Sequence, residues 1–447
     1  MKKNIVFLIF IAISFCTNCP PLYSIENLSH VHGYSVYMKY DTVINIFNEC
    51  ILNGTEFGGN MARVVNDCTE INVWGGTRND FGDPWLENTI CPVFSNGKGV
   101  TATTLTALYD NNFFDFNDKI KDIWSEFGKN GKDNMTIEIL TSHGAGLMTM
   151  PIGITLNQLN NITEYDLIIE NLTPSYPILE NCQSVEEEEE DDHSENCPHA
   201  YNFLYLGNQI DAIVRRMNKS MGRDLDQLMQ EYIANPLGMD FFWRLPLSEY
   251  NRTADMSPPT NFPRFDPKFF QFASSIGTPG TIQFDIGNPG SGRNPIELFN
   301  IGLGVNNILR TTYMPSAIAY TNALSLAKMW GMIANHGKMN NKTIISNSAI
   351  KRANFLVYNG TDKVFTFQNT TFTSVGWRRP SPRAFFSNDL KNVGHGGAGG
   401  TQGYANFKKK SGFSYVGRRN YGERDDTFFS PHVEQLLNLI HLIEENE

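Results

Sequence analysis

Ser95 and Lys98, three residues apart in Phe94-Ser95-Asn96-Gly97-Lys98-Gly99, carry the clearest chemistry in this chain. The apolar positions Val100, Leu105, Leu108 and Tyr109 that follow predict a helix starting near Asn96, which places the serine at its N-terminus. Free N–H groups and the positive end of the helix dipole favour a developing alkoxide and an oxyanion there. At i+3 the lysine lies on the same helix face, within reach of the serine hydroxyl. An amine in a dry pocket can lose its proton near neutral pH and act as a base. Far downstream, His395-Gly396-Gly397-Ala398-Gly399-Gly400 reads as a glycine-dense strand edge that could close over a bound carbonyl.

Spacing alone does not select this pair. Ser325/Lys328 and Ser348/Lys351 repeat the pattern, about as often as chance allows. Ser325 falls inside a helical pattern, where its hydroxyl is expected to bond to its own backbone, and Ser348 reads as part of a helix start. Only Ser95 is followed closely by glycines at a predicted helix N-terminus.

The elements that must position these groups can be outlined. Met61 to Val73 alternates around Asn66-Asp67 as a β-hairpin, and Trp74-Gly75-Gly76 is expected to break the strand. Tyr201–Asn218, Leu225–Ile233 and Tyr320–Asn335 read as helices. Strands over Gly400–Phe407 and Phe413–Val416 follow, and a closing helix over Ser430–Glu444. Strands at both ends with helices between them predict an α/β (α+β) fold. The sheet-bearing part would be about 30–105 and 310–447, around a helical insertion of about 106–309. Loops from Pro258 to Pro295 suggest a lid or rim.

The 447 residues suffice for one large domain, and the formal charge of −11 argues against a nucleic-acid partner. Much of that charge sits in Glu186–Asp192, read as a solvated loop. Lys2 and Lys3 precede an apolar stretch, Ile5–Phe15, shorter than the about 20 residues of a spanning helix. The reading is a secretory signal over 1–22, cleaved between Cys16 and Ser24, with a folded domain over 30–447. Ten N-x-S/T sequons, from Asn27 to Asn369, agree with secretion. Cys50, Cys68, Cys91, Cys182 and Cys197 then remain, and Cys182 and Cys197 are expected to pair across the acidic loop 182–197. No spacing suggests zinc, and no later stretch spans a membrane.

Five blocks together resemble the class C β-lactamase-related esterases and peptidases. They are Val73-Trp74-Gly75-Gly76 with the Ser95 segment, Thr136 to Leu147, His199-Ala200-Tyr201 with Gly207 and Arg215-Arg216, Pro236 to Met239, and Gly394 to Gly400. The resemblance implies the penicillin-binding-protein-like fold, an antiparallel sheet flanked by helices. It implies Ser95 as acylated nucleophile, Lys98 as its base, and Tyr201 as phenolate or relay. It also implies a substrate-lining slot at His395, Gly396 and Gly397, and an oxyanion hole from the backbone N–H groups of Ser95 and Ala398. No metal or organic cofactor is implied. Phe203 and His395 depart from the lactamase pattern, which favours a small ester or peptide-like substrate over a β-lactam. His143, Trp74 and Trp377 read as structural. The rival expectation is a non-catalytic binding protein on the same scaffold.

Overall fold

The computed structural model describes residues 19–25, 28–148, 158, 160–176, 178, 198–202, 204–257, 310, 312–363, 369–381, 387, 389–419 and 431–447. Its main sheet is built, in chain order, from β1 (Leu22–Ser24), β2 (Val31–Val36), β3 (Gly58–Val65), β4 (Cys68–Gly76), β5 (Val393–Gly397), β6 (Thr401–Asn406) and β7 (Ser411–Gly417). In space the order is β1-β2-β4-β3-β7-β6-β5, antiparallel throughout. The β3–β4 hairpin turns on Asn66 and Asp67 at φ 46° and 71°. Two successive left-handed residues make the turn that matches strand twist, and Asn and Asp tolerate it best. Joining β3 to β7 brings the first part of the chain beside its last strands.

Strand periodicity divides the core. Met61, Tyr404, Phe413 and Tyr415 face a cluster with α1 (Asp41–Leu52) and α5 (Pro431–Glu445), through Val43, Phe47, Val433, Leu436 and Ile440. Ala62, Val64, Ala405 and Val416 face the opposite, larger core. That core includes α2 (Asn96–Asp110), α3 (Leu206–Val214) and α4 (Ala323–Ala334). Successive residues pointing to opposite faces is what a strand imposes.

Glycines set how closely α4 and α2 approach the sheet. A Cβ on Gly403 would lie 2.3 Å from Trp330 Nε1, and one on Gly99 would lie 2.6 Å from Trp330 Cζ2. The Trp330 indole of α4 therefore fills a slot between β6 and α2 that only two missing side chains leave open. On the other face, buried Arg63 of β3 holds Glu447 through two N–H···O bonds of 2.9 Å, and also bonds Glu70 and Tyr40.

Several expectations are corrected. β4 continues through Gly76 instead of breaking at Trp74. Tyr320–Thr321 pair as a strand with Cys91–Pro92 and Phe241–Phe242, so α4 begins at Ala323, where the Asn322 side chain caps it. Cys68 is bonded to Cys19, a pairing the sequence did not suggest. Cys50 and Cys91 are buried thiols. The expected Cys182–Cys197 pair and the Pro258–Pro295 excursion lie outside the described residues. Among the described residues no helix is long and apolar enough to cross a membrane.

Gly403→Ala is expected to lower stability by about 1–3 kcal/mol through overpacking against Trp330. Gly360→Ala, where nothing lies within 4 Å of the new Cβ, is expected to leave thermal unfolding nearly unchanged. Burial raises the Glu447 carboxyl, but its bonds to Arg63 and Lys39 outweigh that and bring it down to about 2. A depressed carboxyl contributes stability above its unfolded value near 4.5 and loses it as pH falls towards 2. Denaturant unfolding of Glu447→Gln should therefore lack that part of the acid destabilisation seen in the parent chain.

Candidate active site

Ser95 stands directly before α2, and Phe94 ahead of it takes φ 47°. A bulky residue in the left-handed region is strained, and this bend turns the serine out of the core at the helix N-terminus. Lys98 follows one turn later, buried to 2% exposure. Its Nζ lies 3.1 Å from Ser95 Oγ and donates to the Ser316 carbonyl at 2.6 Å. Burial pushes this amine well below the ordinary lysine range. The neutral amine is therefore favoured, with a lone pair beside the hydroxyl.

Tyr201 joins the pair from a separate part of the chain. Its ring centroid is 4.8 Å from Lys98 Nζ, and its phenol is hydrogen-bonded to Ser95. Burial raises the phenol to about 12, against the lowering effects of the Ser95 bond and Arg378. The expected helix Tyr201–Asn218 is instead α3, starting at Leu206, with Tyr201 ahead of it outside any helix or strand. The reason lies in its N–H groups. Tyr201 N donates to both oxygens of Asp362, at 3.3 and 3.1 Å, and Asn202 N donates to His143 Nδ1 at 2.9 Å. Held by Asp362 and His143, the pair stays outside α3, and the Asn202 side chain accepts from Tyr205 N at 3.0 Å just ahead of that helix.

The tyrosine is held from several sides. Its ring stacks on Phe372 at 6.0 Å and 4°, and the His143 ring lies 5.0 Å away. Asp362 also accepts from Thr370 Oγ1 at 2.9 Å, and Thr370 in turn meets His199 Nε2 at 3.0 Å. Asp362 and Phe372 come from a hairpin region, Leu356–Thr361 and Asn369–Thr373. Ser316 ties the two halves together: its carbonyl receives Lys98, and its hydroxyl accepts from Gly207 N of α3 at 2.9 Å.

β5 forms the opposite edge. A Cβ on Gly397 would meet the Val93 carbonyl at 2.1 Å, so this strand end packs onto the segment leading into Ser95. Ala398 follows, exposed, and Gly396 is half-buried. His395 is buried, with Nδ1 2.6 Å from the Gly396 carbonyl and Nε2 without a hydrogen-bond partner. Burial, then Lys98 and Arg378, hold its imidazole well below the usual range, so it is neutral. Among the described residues no group of His, Cys, Asp and Glu could hold a metal ion.

The two decoy pairs lie elsewhere. Ser325 Oγ accepts from Asp240 N at 2.8 Å instead of bonding within its own helix, and Ser348 sits 3.0 Å from Ser346 Oγ at the surface. Spacing did not reveal Asp362, Ser316 or Arg378. Only the adjacent Trp377-Arg378-Arg379 cations offered a signal, and they look like any charged loop.

Residues 47–435 match the Beta-lactamase family. Esterase/beta-lactamase LipL of Mycobacterium tuberculosis (strain ATCC 25618 / H37Rv) is 25% identical over 311 residues, 66% of this chain. The match spans 63% of that protein's length. A family VIII carboxylesterase superposes with a TM-score of 0.75 at 21% identity, covering 92% of this chain and 99% of the other. A penicillin-binding-protein homolog from Caulobacter crescentus gives 0.74 at 22%, covering 91% and 98%. Both share the antiparallel sheet and flanking helices expected from the sequence. With the family match running from α1 into α5, through every element that shapes the site, the chain belongs to the Beta-lactamase family.

Proposed function

We propose that this chain is a serine hydrolase that cleaves a carboxylic ester or amide through an acyl-enzyme on Ser95. The observation that carries the reading is the buried Lys98 amine, 3.1 Å from Ser95 Oγ and bonded to the Ser316 carbonyl. A scaffold kept only for binding has no use for an uncharged lysine beside a serine presented by a strained Phe94.

The chemistry follows from the protonation states. Neutral Lys98 takes the Ser95 proton as Oγ attacks the substrate carbonyl carbon. The resulting oxyanion is met by the N–H groups of Ser95 and Ala398. Tyr201, raised to about 12, stays a phenol and relays a proton to the departing alcohol or amine as the tetrahedral adduct collapses. Water then attacks the acyl carbon, its proton passes back to the same groups, and the acid leaves with Ser95 restored. Of the two expectations for Tyr201, this electrostatic setting favours the relay over the phenolate. Neutral His395 supplies no charge in the slot where lactamases carry lysine, which favours esters or peptide-like amides.

Secretion belongs to the same proposal. The Cys19–Cys68 bond fits an oxidising compartment, and a leader removed ahead of Cys19 would preserve it.

Intact-mass measurement after fluorophosphonate treatment should give an adduct on the parent protein and on Ser348→Ala, and none on Ser95→Ala. An equal adduct on Ser95→Ala would move the nucleophile elsewhere. Lys98→Met should lower kcat on short-chain esters by roughly 10²–10⁴-fold, the usual worth of a general base. In the parent protein kcat/KM should rise with pH as Lys98 deprotonates, then hold level through the alkaline range. A rate still climbing towards pH 12 would make Tyr201 phenolate the working base.

A further inference from the structure

Two of the sequons lie on the hairpin that fixes Tyr201, and they face each other across it. Asn359-Gly360-Thr361 closes the first strand, and Asn369-Thr370-Thr371 opens the second. Asn359 pairs with Thr371 and Thr361 with Asn369, so the asparagine of each sequon stands opposite the threonine of the other. Opposite residues in an antiparallel pair project to the same face, and so do residues two apart along a strand. All four therefore share one face of the hairpin. Tyr358, Thr370 and Phe372 share the other.

Burial tells the two faces apart. Tyr358, Thr370 and Phe372 are each at most 2% exposed. Tyr358 stacks on His199 at 5.0 Å and 17°, Phe372 stacks on Tyr201, and Thr370 Oγ1 donates to Asp362. On the outer face Asn359, Thr361 and Asn369 are exposed, while Thr371 is buried beside Arg379, whose N–H donates to its Oγ1 at 3.2 Å. Asn369 Oδ1 accepts from Thr361 Oγ1 at 3.2 Å, so that bond engages the amide oxygen and not the nitrogen that a sugar would occupy. Asn134 shows the contrast: its sequon asparagine is half-buried, and its Oδ1 accepts from Lys119 Nζ at 2.9 Å. The first strand pairs with the second and, among the described residues, with no other, so Asn359 sits on an open strand edge. Such an edge invites pairing with another chain, and bulk placed on it blocks that approach.

We propose that Asn359 and Asn369 carry N-linked oligosaccharides, which cover the solvent face and open edge of the hairpin whose inner face holds Tyr201. This rests on the secretion reading above. The donor is an oligosaccharide carried on a lipid diphosphate. The bond from the sugar's first carbon to the diphosphate oxygen breaks, and a bond from that carbon to the asparagine Nδ2 forms. The amide gives up one proton, which leaves with the diphosphate. Sugar and tyrosine then lie on opposite sides of one two-stranded ribbon.

For the test, the full chain is recovered from the medium of insect cells, digested, and treated with peptide N-glycosidase in heavy-oxygen water. That enzyme releases the sugar and leaves an aspartate carrying one heavy oxygen, which marks each occupied asparagine by mass. The mark is expected at both Asn359 and Asn369. Thr361→Ala should remove it from Asn359 and leave it at Asn369; should that variant fail to fold, the marks on the parent protein decide alone. Either asparagine unmarked in a parent protein that is marked at another sequon overturns the proposal. So does a mark on Asn359 that survives Thr361→Ala. A protein marked at no sequon, or absent from the medium, would remove the secretion reading and the proposal with it, so the two failures are distinguishable.

Discussion

A lysine amine buried against a serine hydroxyl and a backbone carbonyl is the constraint around which the rest of the site is arranged. Burying an ammonium ion is far more costly than burying the amine, so the fold selects the neutral form. That choice still leaves N–H bonds to satisfy, one of which goes to the Ser316 carbonyl. It also requires that water be kept out of the first turn of α2. Trp330, wedged between Gly99 and Gly403, supplies that seal. The sheet, the helix above it and the indole between them thus act together on one proton.

The tyrosine answers a different requirement. It must sit against Ser95 with an unhelical backbone, so its segment cannot be an ordinary part of α3. His143 at φ 69° and Asp362 hold its two N–H groups away from α3. Both come from distant parts of the chain, and the stacked Phe372 fixes the ring. The cost of an irregular segment ahead of α3 is offset by the bonds its N–H groups make to these side chains.

These origins explain what the sequence could disclose. Ser95 and Lys98 were legible because their relation is local: one turn of helix, with apolar residues behind it. The β3–β4 hairpin was legible for the same reason, through alternation and an Asn-Asp turn. Tyr201 was visible through its segment, but its helix was not real, since its partner Asp362 lies 161 positions away. Ser316 acts towards Lys98 through a backbone carbonyl, which any residue type possesses. Cys68 was left without a named mate because Cys19 lay in a stretch read as a leader.

The pairing of β3 with β7 has a temporal side. Val65 of β3 sits opposite Ser411 of β7, so one edge of the first hairpin has no neighbour until nearly the whole chain has left the ribosome. During that interval an apolar strand edge is open to mispairing with other chains, and contacts so distant in sequence are slow to close. The Cys19–Cys68 bond joins the segment before β1 to the start of β4, enclosing β1, β2, α1 and β3 in one covalent ring. Formed early, it would keep the waiting half of the sheet together until its partner strands arrive.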